Sequence, residues 1–95
     1  MEASGNKTIT REVTVCNKRG LHLRMAGALV KVTSGFSSQI QIAKGRLSVN
    51  ARSMLDLISL SAAPMSRILV TVTGEDAEAA MAAIEKFFAE YCSEA

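Results

Sequence analysis

The sequence is short of the residues on which metal, nucleic-acid and membrane chemistry usually depend. Among its 95 residues tryptophan is absent, tyrosine occurs once, and aromatic side chains make up only 4%. Proteins that grip single-stranded nucleic acid stack its bases on aromatic rings. Without such a platform, and with a net charge of only +2, no nucleic-acid partner is expected. A single histidine cannot build a multi-histidine metal centre. No convergent carboxylates accompany it, so a hydrolase or metalloenzyme is poorly supported. The two cysteines, Cys16 and Cys92, lack metal-ligand spacing and read as ordinary reduced thiols, not as a disulfide. No segment reaches the roughly 18 apolar residues of a membrane span. Met1 to Lys7 holds no apolar run of the signal-peptide kind. A cytoplasmic protein without membrane insertion is expected.

What the chain does contain is enough for one core. Apolar residues make up 48% and charged residues 21%, a globular balance. At this length a single domain over residues 1–95 is expected, with residues 1–7 flexible. Ile9, Val13 and Val15 alternate as in a half-buried strand. From about Leu23 to Thr33 the apolar residues recur at helical spacing, and Ser34-Gly35 supplies a stop. Phe36 is expected to plug the core. Ile40 and Ile42, the Lys44-Gly45 turn, and Leu47 and Val49 read as a hairpin. Ser53 caps a short helix, with Asp56 placed to reach back in a variant capping box. Ile68, Val70 and Val72 mark a fourth strand. Gly74-Glu75-Asp76 opens a last helix whose buried stripe runs Ala77, Ala80, Met81, Ile84, Phe87, Phe88 and Tyr91. This order, βαββαβα, implies an α+β open-faced sandwich: a four-stranded antiparallel sheet covered on one face by three helices.

One stretch carries chemistry. In Asn17-Lys18-Arg19-Gly20-Leu21-His22-Leu23-Arg24-Met25-Ala26-Gly27, the histidine falls where a strand pattern gives way to a helix. The first helical amides, of about Leu23, Arg24 and Met25, lack intrahelical acceptors, and the helix dipole puts partial positive charge there. Arg24 adds a planar fork of donors suited to phosphate oxygens. An imidazole with an ordinary pKa of about 6.5 is nucleophilic at cellular pH. A lone histidine at a helix start is, however, more often a cap or a solvated side chain than a nucleophile. Both readings stay open on these residues alone.

Gly20-Leu21-His22-Leu23-Arg24-Met25-Ala26 resembles the G-[LIM]-H-x-R-P-A motif of the histidine-containing phosphocarrier (HPr) family of the bacterial phosphoenolpyruvate-dependent phosphotransferase system. Asn17-Lys18 resembles its nitrogen-type branch. Gly35-Phe36, Lys44-Gly45, Asn50-Ala51-Arg52-Ser53-Met54, Leu57-Ile58-Ser59-Leu60 and Thr73-Gly74-Glu75-Asp76 follow in family order, over about Lys7 to Tyr91. The resemblance implies strand order 1-4-2-3 and a stoichiometric carrier instead of an enzyme. In that role His22 Nδ1 takes a phosphoryl group from phosphorylated enzyme I and passes it to an EIIA-type acceptor. Arg24 and the Leu23, Arg24 and Met25 amides would hold its oxygens. No cofactor, no metal ion and a monomer are implied. Ser53 resembles the site that a dedicated HPr kinase/phosphorylase modifies in some relatives. Met54, Leu55 and Ile58 match partner-binding positions, with Leu23 and Gly27 lining the neighbouring edge; the excess of apolar residues after Ser53 fits either an exposed interface or a well-buried helix. Lys18, Arg19, Arg24 and Lys31 form a basic rim that would steer an acidic partner.

Two departures stand out. The family proline after the arginine is Met25, which loses a pre-set φ and restores a backbone N–H. Ala63-Pro64-Met65-Ser66 lacks the glycine that relatives commonly use, so a different loop path is expected. A diverged regulatory module that acts by protein docking is the alternative reading.

Overall fold

A computed structural model describes residues 7–92 of the chain. Strand β1 (Lys7–Val15) pairs antiparallel with β4 (Ser66–Gly74), β4 with β2 (Gln39–Lys44), and β2 with β3 (Leu47–Asn50). The order is β1-β4-β2-β3, as the family resemblance implied. Helices α1 (Leu23–Thr33), α2 (Met54–Ser59) and α3 (Ala77–Cys92) complete the sandwich. The flexible segment expected over residues 1–7 lies outside the described residues except for Lys7, which begins β1.

Period-two alternation decides which face of the sheet is covered. Ile40, Ile42, Val49, Ile68, Val70 and Val72 are buried, and they share one core with Met25, Ala26 and Leu29 of α1 and Met81, Ile84 and Phe88 of α3. Burying a side chain such as Ile84 stabilises by about 1.5–3 kcal/mol. The other face is wet, and hydroxyl pairs cross it: Thr8 with Thr73 at 3.1 Å and Thr10 with Thr71 at 3.3 Å. Leu47, expected to continue the inward pattern, is 46% exposed, because β3 is short, lies at the sheet edge and buries only Val49. Phe36 is half-buried against the core.

The ends of the elements are tied by polar contacts. Lys7 pairs with Glu78 at 2.5 Å and Arg11 with Glu85 at 3.3 Å, linking the edge strand β1 to α3. The Lys7 ammonium, first by its hydrogen bond and then by its charge, holds the Glu78 carboxyl below its ordinary pKa. Asp76 accepts from the Ser38 hydroxyl, from the Ser37 amide at 2.8 Å and from the Ser38 amide at 3.0 Å. The Ser38 hydroxyl, then the Ser37 amide, bring its pKa down to about 2. The contribution of this joint is complete above the ordinary carboxylate range and is lost as pH falls through about 2. An acid expected simply to favour the start of α3 thus also fastens the entry to β2.

The cysteines require a correction. Cys16 and Cys92, read as separate reduced thiols, are joined in a disulfide with Cα atoms 5.0 Å apart, within the ordinary span. A separation of 76 residues hid the pairing, which arises only when α3 packs on β1. By loop-closure entropy, a bridge of this reach stabilises by about 4 kcal/mol.

Candidate functional site

The site begins where β1 ends. The chain turns over Asn17–Gly20, with the Gly20 amide donating to the Asn17 carbonyl at 3.2 Å and Asn17 Nδ2 donating to the Gly20 carbonyl at 2.8 Å. Gly20 has φ +68°, and a Cβ there would sit 2.5 Å from the Ala62 carbonyl oxygen. Only glycine meets both conditions. The next amide, of Leu21, donates to that same Ala62 oxygen at 2.9 Å. Asn17 is 4% exposed, and its Oδ1 is buried without a donor among the described residues.

His22 follows as the N-cap of α1, in extended backbone geometry. The Met25 amide donates to His22 Nδ1 at 3.4 Å, a long contact, and the Ala26 amide donates to the His22 carbonyl at 2.9 Å. Both readings of the histidine are therefore compatible, because the cap aims the imidazole at the helix end. With Nδ1 as acceptor, the neutral ring carries its proton on Nε2. The restored N–H of Met25 goes to this ring nitrogen. The Met25 side chain is wholly buried, so the packing of the thioether chain offsets the loss of a proline at this position.

The field at this helix end favours an anion. The first turn of α1 holds no acid, and the Leu23 and Arg24 amides lack intrahelical acceptors. Arg24, Lys18, Arg19 and Lys31 are all exposed. Arg24 makes no side-chain hydrogen bond or ion pair among the described residues, which leaves its guanidinium available to a ligand. Among the described residues no group of three His, Cys, Asp or Glu gathers as a metal site would require, and no helix is long and apolar enough to cross a membrane.

Ser53 caps α2, accepting from the Asp56 amide at 3.3 Å. The return arm of a capping box is missing: the Ser53 amide donates to the Asn50 carbonyl at 3.1 Å instead. Beside these two caps lies an apolar surface, with Leu23 61%, Met54 39% and Leu55 78% exposed. Leu57 and Leu60 are buried and Ile58 is half-buried, so the surplus of apolar residues divides between core and water. A Cβ on Gly27 would lie 3.3 Å from Met54 Sδ, which shows how closely α1 and α2 approach.

Arg52 has a role that sequence reasoning missed. Its Nε donates to the Thr33 carbonyl at 3.1 Å and its Nη2 to the Phe36 carbonyl, placing a cation at the far end of α1. An arginine just before one helix carries no local signal that it closes another. In the loop before β4, Ser61 and Met65 take left-handed backbone geometry, with φ +50° and +69°.

Comparisons with known proteins agree with this geometry. The family model for the PTS HPr component phosphorylation site matches residues 9–90. The phosphocarrier protein HPr of Treponema pallidum is 34% identical over 80 residues, covering 84% of this chain and 91% of that protein. The phosphocarrier protein NPr of Shewanella violacea is 40% identical over 76 residues, covering 80% and 84%. Among solved structures, an HPr from Thermoanaerobacter tengcongensis superposes with a TM-score of 0.84 at 32% identity, covering 94% of this chain and 98% of its own. The fold and the family model define a phosphotransferase-system HPr component. The chain belongs to the HPr family, whose relatives here include a nitrogen-type NPr.

Proposed function

We propose that the protein is a phosphocarrier in which His22 Nδ1 accepts a phosphoryl group from phosphorylated enzyme I and gives it to an EIIA-type acceptor. The observation that carries this reading is the placement of Nδ1 over the first turn of α1 by the Met25 amide, in a turn without acids. Transfer proceeds in line: the Nδ1 lone pair attacks phosphorus as the bond to the donor's histidine breaks, and the proton on Nε2 stays in place. The Met25 amide then turns from the ring nitrogen to a phosphoryl oxygen. The Leu23 and Arg24 amides and the Arg24 guanidinium take up the remaining charge. Each step is reversible, so the chain carries phosphate stoichiometrically and does not turn over a substrate of its own. A cytoplasmic location accords with that role.

The docking face is the exposed Leu23, Met54 and Leu55, with Gly27 and Ile58 at its edge. The same exposed surface supports the second reading, a regulatory module whose partner senses whether His22 or Ser53 carries phosphate. A Ser53 phosphate would sit at the start of α2 but beside Asp56.

The test is incubation with phosphoenolpyruvate, magnesium and the enzyme I of the source organism. Wild type gains one acid-labile, base-stable phosphate and passes it to an EIIA-type acceptor, while His22→Ala gains none. If neither protein is labelled while a general phosphocarrier control is, the relay reading fails and the docking module takes its place.

A further inference from the structure

The Cys16–Cys92 pair lies at the root of the His22 turn, and its surroundings give it chemistry of its own. Cys16 is half-buried, whereas Cys92, in the last turn of α3, is exposed. Cys92 also lines a surface cleft of about 240 Å³ with Val13, Thr14 and Phe88, bordered by the carboxylates of Glu12 and Glu85. A disulfide with one partner on an exposed residue that lines a cleft is within reach of a thiolate, and exposed bridges are the labile kind.

The residues on either side of Cys16 couple this chemistry to the turn before His22. Val15 is fully buried and its carbonyl accepts from the Met65 amide at 2.6 Å. Asn17, on the other side, is buried with an acceptor oxygen that has no donor among the described residues. That oxygen gains a hydrogen bond when the turn opens to water, which works against the two hydrogen bonds inside the turn and makes its closure sensitive to restraint at its ends. The far end of the turn is held by the Leu21 amide on Ala62, and the near end by the Met65 amide on Val15 together with the covalent bond to α3.

We propose that Cys16–Cys92 is a reversible thiol–disulfide site, reduced by dithiols and reoxidised by small disulfides, whose state sets the order of the Asn17–Leu21 turn and hence the acceptance of phosphate by His22. In reduction a dithiol's thiolate attacks Cys92 Sγ, the Cys92–Cys16 bond breaks, and Cys16 leaves as a thiolate that takes a proton from solvent. The second thiol of the reductant then displaces Cys92. The dithiol becomes a disulfide, and the protein gains two protons and two electrons. In reoxidation a small disulfide accepts these electrons and leaves as two thiols. The effect on His22 rests on the carrier reading above; the effect on the turn does not.

The experiment equilibrates the full chain in buffers of graded dithiothreitol to oxidised dithiothreitol ratio. Thiols are counted by alkylation and mass, and backbone amide spectra are recorded beside those of Cys16→Ser, Cys92→Ser and the double variant. The expected result is one two-electron transition in wild type, with resonances of residues 17–22 moving while those of residues 30–33, at the far end of α1, stay. The Gly20 and Leu21 amides exchange about tenfold faster after reduction. Phosphoryl acceptance by His22 falls about fivefold in the reduced protein, and the serine variants match reduced wild type in either buffer. Absence of the transition, or a transition that leaves residues 17–22 unmoved, overturns the proposal whatever the carrier activity. If the turn responds but neither redox form accepts phosphate, the thiol–disulfide site stands and the carrier reading is what fails.

Discussion

His22 and Ser53 begin their helices in the same way. Each is in extended backbone geometry, and each accepts a hydrogen bond from the amide three residues on, at 3.4 and 3.3 Å. Their surroundings differ in sign. The first turn of α1 has no acid and stands beside exposed Arg24, Arg19 and Lys18, whereas the first turn of α2 contains Asp56. The helices differ in length as well, at 11 and 6 residues, so α1 aligns more peptide dipoles behind its cap. One local hydrogen bond therefore serves two purposes. At α1 it holds an imidazole, the proposed phosphoacceptor, in a field that favours an anion; at α2 it chiefly closes a short helix, and a phosphate there must overcome a nearby carboxylate.

This contrast can be broken at four points. The largest effect is expected from His22→Asn, which keeps a good capping side chain but removes the imidazole proposed to take the phosphoryl group. Phosphoryl acceptance is lost entirely while the urea midpoint stays close to wild type. A large drop in the midpoint would show that the imidazole is mainly structural. Next comes Arg24→Ala, expected to slow acceptance by about tenfold to a hundredfold. Its stability should remain within about 0.5 kcal/mol of wild type, since the exposed guanidinium holds nothing else. Rapid-quench transfer assays read the first quantity and urea titration the second.

Met25→Pro restores the family residue but removes both the amide on Nδ1 and a fully buried side chain. Lost burial outweighs the gain from a stiffer unfolded chain, so a net loss of about 1–2 kcal/mol is expected in urea titration. The His22 ring should also become more mobile by NMR relaxation, which tests whether the Met25 amide fixes it. The smallest effect is expected from Ser53→Ala: about 1 kcal/mol of stability from the lost cap, with acceptance at His22 unchanged. A transfer defect in that variant would show that the two helix starts are coupled.

The sequence made the sandwich legible because its strands alternate cleanly and its helices repeat cleanly. Ile68, Val70 and Val72 could face only one way, and the stripe from Ala77 to Phe88 needed a partner surface. His22 and Ser53 were legible as caps for the same local reason. What escaped was non-local. Nothing beside Arg52 announces that it closes the end of α1, and nothing within 76 residues connects Cys16 to Cys92. Asp76 read as a helix-start acid until the fold carried Ser37 and Ser38 to it. Leu47 obeyed the alternation and still lies in water, because a pattern assigns a face without saying where cover ends.

The contact of Gly20 and Leu21 with Ala62 makes two loops, more than 40 residues apart in the chain, behave as a single part. The segment from Ser61 to Met65 lies outside the His22 motif, yet it is a wall of the mould in which the turn before His22 is cast. An insertion there, or a substitution that shifts Ala62, would move the support beneath His22 while leaving the motif around it intact. The two loops must therefore vary together, and grafting the Asn17–Gly27 segment alone onto another sandwich would transfer its residues without the surface that shapes them.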